Sequence, residues 1–396
     1  MIKIIIGLIL MFFLVSLFTT GCKSEQVKTS ESNSPQAALE NKVPDPVEEK
    51  SEAGKPADAP DMLEEPTHEI DTAGKFPVSV SCPTDRERCN MGIRVSTDAK
   101  SMVVFTQPPI LWGDMISGTD GVCWSEGMAG FLVHCMPLDG AGKSQWIGST
   151  ERVHDMAMNS EAVFVASIEG IFSLSKSKEH KKLLADAGYA AIAADADNLY
   201  YLAGPNADAG QVMRVSTQGG DATTLISGLK SASAIGIDDA AVYVATFGFD
   251  KKGQIMRAPK SGGPSTVIAG KQEQVRALIV DESSVYWLCT SGNGYTVTKA
   301  DKTKGGSPVT LAAVKANPGV RRHRNRLAQD AGYIYFPAFD RILRVPKAGG
   351  DPELLVSIAG DGDIVSHTVS AGTLYFAITV YCSKGKGKCP QDDHYD

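Results

Sequence analysis

Ala234-Ile235-Gly236-Ile237-Asp238-Asp239-Ala240-Ala241-Val242-Tyr243 aligns with two other stretches of the same chain. One is Ala191-Ile192-Ala193-Ala194-Asp195-Ala196-Asp197-Asn198-Leu199-Tyr200; the other is Ala277-Leu278-Ile279-Val280-Asp281-Glu282-Ser283-Ser284-Val285-Tyr286. Each reads as a short apolar strand, an aspartate, three turn residues, then an aliphatic residue and a tyrosine opening a second strand. Further copies end at Val163-Phe164, Ile334-Tyr335 and Leu374-Tyr375, and a divergent one at Val122-Cys123, making seven.

A second half follows. Gln254-Ile255-Met256-Arg257-Ala258-Pro259-Lys260-Ser261-Gly262-Gly263 matches Gln211 to Gly220 and Arg341 to Gly350. The closing Gly-Gly is a hairpin signal, because tight turns need positive φ. Short fourth strands come next, at Thr224-Leu225-Ile226, Thr266-Val267-Ile268, Val309-Thr310-Leu311 and Leu354-Leu355-Val356. The tyrosine-equivalent positions are 123, 164, 200, 243, 286, 335 and 375, at steps of 36 to 49 residues. Four short strands at this period predict an all-β, seven-bladed β-propeller of four-stranded blades. No helical period of 3.6 is sustained.

The last copy runs out after its second strand. The missing half stands at the other end of the domain, in Gly92 to Asp98 and Met102 to Thr106, with Arg94 matching Arg214, Arg257 and Arg344. N-terminal strands are therefore expected to complete the last blade and close the ring, which removes open sheet edges. The domain, residues 76–396, resembles seven-bladed propellers of the YWTD and NHL-like type found in exported bacterial repeat proteins. Val285-Tyr286-Trp287-Leu288 is its nearest approach to the YWTD motif, and the Thr-Asp part is not reproduced. The resemblance is specific for architecture; propellers host binders, scaffolds and enzymes alike.

Upstream lies an address. Lys3 is followed by a run of 15 mostly apolar residues, Ile4 to Phe18, and then Thr19-Thr20-Gly21-Cys22. This is the layout of an export signal and is short for a membrane span. It resembles a bacterial lipoprotein signal (residues 1–21) with Cys22 as the lipid-attachment residue, though Thr19 replaces the usual leucine. The resemblance implies fatty-acyl (palmitate) modification and membrane anchoring. Lys23, in place of aspartate, implies sorting to the outer membrane, on its periplasmic or cell-surface side.

Residues 22–75 read as the lipidated cysteine and a disordered acidic linker. Residues 23–75 hold 13 acidic residues, 6 lysines and no Phe, Tyr or Trp. Such a segment buries too little apolar surface to offset its ordering entropy. The chain carries −7 in all and Lys3 adds one positive charge, so residues 76–396 are left with about −1. That near-neutral domain lacks the cationic excess of a nucleic-acid binder.

Eight cysteines fit an oxidising compartment. Cys123 and Cys135 hold the Tyr-like and Arg-like positions of blade 1, so a cross-strand disulfide is expected to replace the Tyr–Arg contact there. Cys82, Cys89, Cys382 and Cys389 lie at the two ends of the domain, with three pairings open. Cys289 is left over as a thiol within its strand. The cysteine spacings do not suggest a metal, and no cofactor is implied.

No catalytic set stands out: GxSxG, HExxH, P-loop and EF-hand patterns are absent. Asp195, Asp238, Asp281 and Asp330 recur at one turn position and read as strand caps. The repeated Tyr–Arg pairs read as packing between blades. The densest basic run, Arg321-Arg322-His323-Arg324-Asn325-Arg326, lies in the connection entering blade 6. In the usual propeller layout that connection is on the ligand face. Arg322, His323 and Arg324, with Trp112, Arg276 and His367, form the candidate binding face for an anionic small ligand or an acidic protein. The expected function is a non-enzymatic, membrane-anchored binding platform. The alternative is an exported hydrolase or lyase, with a divalent cation at the channel mouth.

Overall fold

The computed structural model describes residues 77–78 and, between 88 and 381, all residues except 98–101, 107–113, 127–130, 139–144, 151–152, 168, 176–179, 186–190, 205–208, 249–251, 292–293, 316–325, 339 and 359–361. All of them belong to a compact unit spanning 63–396. Lipid attachment at Cys22, the signal, the linker, Cys82, Cys382 and Cys389 lie outside the described residues.

Seven sheets form a ring, each with four strands in antiparallel order. Blade 1 is built from Met115–Ser117, Gly121–Glu126, Phe131–Pro137 and Gln145–Thr150. Blade 2 follows with Val153–Met158, Ala162–Ser167, Gly170–Ser175 and His180–Ala185. Blade 3 has Ile192–Ala194, Asn198–Ala203, Gly210–Ser216 and Thr223–Leu229. Blade 4 has Ala232–Ile237, Ala241–Thr246, Gly253–Pro259 and Thr266–Gln272. Blade 5 has Val275–Val280, Ser284–Ser291, Gly294–Asp301 and Gly305–Lys315. Blade 6 has Ala328–Gln329, Tyr333–Ala338, Arg341–Pro346 and Glu353–Ile358. Blade 7 combines the C-terminal Gly362–Ser370 and Thr373–Tyr381 with the N-terminal Arg88–Ser96 and Met102–Thr106.

The closure is as expected: strand Arg88–Ser96 pairs with the last strand, Arg94 opposite Tyr375. Among the described residues one strand lies outside the repeat. Pro77–Val78 pairs in parallel with the outer strand of blade 6, giving that sheet a fifth, two-residue strand. The Gly-Gly hairpins adopt positive φ at both glycines, for example Gly262 at 90° and Gly263 at 121°.

Strands pack into one core per blade interface rather than into one central core. At each interface a residue of the second strand packs on the next blade: Tyr200 on Ile235, Val242 and Ala258; Tyr243 on Leu278 and Trp287; Tyr335 on Phe376. The recurring aspartates are the strand caps the sequence suggested. Asp238 Oδ1 accepts the backbone N–H of Ala240 and Ala241 at 2.9 and 2.8 Å, and Oδ2 accepts the Tyr243 hydroxyl at 2.8 Å. They also latch neighbouring blades, for Lys260, Lys302 and Lys347 each reach the aspartate of the preceding blade, Asp195, Asp238 and Asp281. Arg214 Nη1 donates to the Lys260 carbonyl of the next blade at 2.8 Å. Its blade 6 counterpart, Arg344, donates to the Thr97 carbonyl at 2.9 Å, tying the N-terminal strand into the same network.

Candidate functional site

The strand register defines a column of seven equivalent residues around the central channel, each nine positions before the tyrosine-equivalent residue. It reads Asp114, Asp155, Ala191, Ala234, Ala277, Arg326 and Ser366 for blades 1 to 7. Asp155 pairs with Ala166, Ala234 with Ala245, Ala277 with Leu288 and Ser366 with Ala377. Asp114 and Ala191 extend the same ladder through backbone bonds to Ser125 and Leu202. The polar members gather on one side and three alanines face them. The small side chains leave a cavity of about 410 Å³ at the channel mouth, lined by six of the seven together with His154, Ser233 and Arg276.

Arg326 crosses the channel from blade 6. Its Nη2 donates to Asp114 Oδ2 in blade 1, to Asp155 Oδ1 in blade 2, and to the Met156 carbonyl at 3.1 Å. Each carboxylate is held from behind. Asp114 Oδ1 accepts the Met115 N–H at 3.0 Å and the Ser366 hydroxyl at 3.3 Å. Asp155 accepts the Met156 N–H at 2.9 Å and the Ile192 N–H of blade 3 at 2.7 Å. Burial pushes the Asp155 carboxyl up to about 7; Arg326 opposes the rise and the Asp114 charge adds to it. Burial works against the Arg326 charge, but the two carboxylates outweigh it and hold its pKa above the ordinary value. Arg326 Nε and Nη1 make no hydrogen bond among the described residues, and its side chain keeps 30% of its surface exposed.

The rest of the mouth is set by β-bulges. The ladder skips one residue at the start of the inner strand in blades 2, 4, 5 and 7. A bulge re-aims the extra residue, and in blades 2, 4 and 5 that residue is His154, Ser233 or Arg276, all at the cavity. Arg276 is exposed; its guanidinium stacks 4.3 Å from the Phe247 ring centroid, and its Nε donates to Thr290 Oγ1 at 3.1 Å.

Of the candidate binding face, Arg276 lies at this mouth. The basic run enters it through Arg326, while Trp112, Arg322, His323 and Arg324 lie outside the described residues. His367 belongs elsewhere: it is 1% exposed and its Nε2 lies 3.4 Å from the Tyr335 carbonyl, inside the interface of blades 6 and 7. Its position in the ladder, one residue past Ser366, turns it from the channel into the sheet packing. Asp114, Asp155 and Ser366 were not singled out from the sequence.

Cys123 and Cys135 form the expected disulfide. They stand opposite one another with Cα atoms 4.1 Å apart, at the register of Tyr243 and Arg257 in blade 4. Cys289 is a buried thiol. Cys89 lies on strand Arg88–Ser96 opposite Val380. Among the described residues no group of three or more His, Cys, Asp or Glu is arranged to hold a metal.

The architecture defines a seven-bladed β-propeller, and the solved structures that match it do so at low similarity. A structure of the nidogen/laminin complex matches with a TM-score of 0.43 and 14% identity, over 58% of this chain and 93% of that one. Oligogalacturonate lyase in complex with manganese matches at 0.45 and 9%, over 67% and 86%. TolB from Acinetobacter baumannii matches at 0.41 and 10%, over 68% and 67%. No family model matches the chain, and no curated protein matches it.

Proposed function

We propose that this is an exported propeller lipoprotein, anchored through Cys22 to the bacterial outer membrane. The acidic linker holds the domain off the bilayer, and the channel mouth binds an anionic small ligand or an acidic segment of a partner protein. The observation that carries the binding reading is the arrangement of Arg326. Two carboxylates and a carbonyl hold one of its nitrogens, and Nε and Nη1 remain as donors for a ligand. Both two-donor edges of a guanidinium include Nη2, so these two donors point apart and each gives a single charge-assisted hydrogen bond to an anion. Arg276 adds a second cation, preset by Phe247 and Thr290. The three-alanine wall supplies space and an apolar surface opposite.

The same arrangement weighs against the cation-dependent enzyme reading. Asp114 and Asp155 are the paired acids of the mouth, and a guanidinium already lies between them. The near-neutral domain likewise favours a small anion over a polyanion such as nucleic acid.

Titration of the full chain with citrate, followed by calorimetry, tests the binding site. Saturable binding that weakens at least fivefold in Arg276→Ala supports it; binding unchanged in that variant refutes the assignment of the mouth. Cell fractionation tests the anchor. Cys22→Ser is expected to release the protein from membranes or to leave an unprocessed precursor.

A further inference from the structure

The repeat supplies an internal control for a second cavity, on the interface between blades 1 and 2. At six blade interfaces an aromatic ring of the second strand packs on the next blade: Phe164, Tyr200, Tyr243, Tyr286, Tyr335 and Tyr375. At the seventh the same position is Cys123. Where blades 3 to 6 place an aspartate to receive the tyrosine hydroxyl, blade 1 has Gly118. Both the ring and its hydrogen-bond partner are therefore missing at this one interface.

A cavity of about 220 Å³ lies there. Among its lining residues are Cys123, Cys135, Met136, Met158, Val163 and Leu174. The register identifies it as the place of the missing ring. Val163 and Leu174 are paired in blade 2 as Val242 and Ala258 are in blade 4, and those two are what the Tyr200 ring packs on. Val163, Leu174 and Cys123 are buried, whereas Asp120 and Pro137, also on the lining, are exposed and give the cavity a rim. Met158 lies against Gly118, where a Cβ would meet its methyl carbon at 3.0 Å, so one wall is an adaptable thioether chain. An apolar cavity of about 150 Å³ stays dry and takes up benzene, so this one is large enough for a single ring.

We infer that the interface of blades 1 and 2 is a binding site for a small, uncharged, monocyclic aromatic compound of the phenol class. The ring takes the place that tyrosine fills at the other interfaces. The aspartate that receives the tyrosine hydroxyl in blades 3 to 6 is Gly118 here, so the ligand hydroxyl is directed instead to the exposed Asp120 on the rim. The site is separate from the channel mouth: the tyrosine hydroxyls bond to the turn at the far end of the inner strand, whereas the column of Asp155 and Ala234 stands near that strand's start.

The test is a titration of the full chain with 4-fluorophenol, read by fluorine NMR line broadening and by the thermal unfolding midpoint. Saturable binding and a raised midpoint are expected. Val163→Phe fills the cavity from blade 2 and should weaken binding at least tenfold. The pair Cys123→Tyr and Cys135→Arg restores the ring of the other blades and should do the same; if that pair does not fold, Val163→Phe decides. Arg276→Ala should bind 4-fluorophenol as the unaltered chain does. Absence of saturation, unchanged affinity in a folded cavity-filling variant, or loss of binding in Arg276→Ala would each overturn the proposal.

Discussion

Replacing Arg326 by methionine removes the cation that two buried carboxylates share while keeping most of its length. Asp114 is 1% and Asp155 18% exposed on the side chain, so water compensates each of them only in part. Leaving a buried charge without its partner typically costs about 3–5 kcal/mol. The sign of the pH dependence follows from Asp155. Burial holds it at about 7, above its ordinary 3.8, even with Arg326 in place. Folding therefore takes up a proton between those values. The stability that proton contributes is fully present below about pH 4 and is lost as pH rises through about 7. Without the guanidinium the folded-state value climbs further, so Arg326→Met should cost more at pH 8 than at pH 6. Equilibrium urea unfolding at both pH values measures this. The triple variant Asp114→Asn, Asp155→Asn, Arg326→Met removes the charges of all three residues and should recover most of the loss. A cost for Arg326→Met below about 1 kcal/mol, or one that does not change with pH, would refute the view that this cation stabilises the two carboxylates.

Four further outcomes are expected. Lys302→Ala removes a 2.8 Å contact to Asp238 and a 3.0 Å bond to the Asp281 carbonyl, joining blades 4 and 5; with both ends largely buried it should lower stability by about 1–2 kcal/mol in urea unfolding. Burial alone would raise the Asp238 carboxyl, but Lys302, Tyr243 and backbone N–H groups hold it at about 2. Its contribution is therefore present above about pH 4 and lost as pH falls through 2, and in Lys302→Ala the acid unfolding midpoint should move to higher pH. Deleting residues 76–107 strips blade 7 of its two outer strands, and light scattering should show aggregation through the exposed edge. Non-reducing peptide mapping should recover a peptide linking Cys123 and Cys135; alkylation of either in the native, oxidised protein would contradict the disulfide.

The repeat was legible because a blade must satisfy the same contacts seven times. Tyr243, Asp238 and the Gly262-Gly263 hairpin answer to packing, capping and turn geometry, and so they recur. The closure was legible for the same reason, since Arg94 shares the contact pattern of Arg214, Arg257 and Arg344. The channel column was less visible. Asp114 and Asp155 lie at positions where Ala191, Ala234 and Ala277 stand in other blades, and a motif search passes over them because their partner, Arg326, is 171 residues or more away in sequence. Aligning the copies on their tyrosines and reading the column nine residues upstream exposes them, because there the residue type departs from an otherwise small-residue position. The layout argument sets His367 in the connection entering blade 7, whereas strand Gly362–Ser370 already includes it and turns it into the sheet packing.

The two kinds of departure from the repeat have different physical standing. The channel column faces an open space, so a blade can exchange alanine for aspartate or arginine without disturbing the interface beside it. The tyrosine column fills the interface itself. Replacing a buried aromatic ring by a small side chain costs about 3–5 kcal/mol where the cavity does not collapse, and the interface of blades 1 and 2 retains its cavity. The Cys123–Cys135 disulfide closes a loop with a sequence separation of 12, which constrains the unfolded chain by about 3 kcal/mol or slightly less. The disulfide thus offsets most of the lost packing without restoring the ring. A sequence under pressure for stability alone would have kept the tyrosine, as the blades from 3 to 7 do. The retention of a cavity at this one interface, with a covalent brace beside it, is the pattern expected of a site kept open for an occupant.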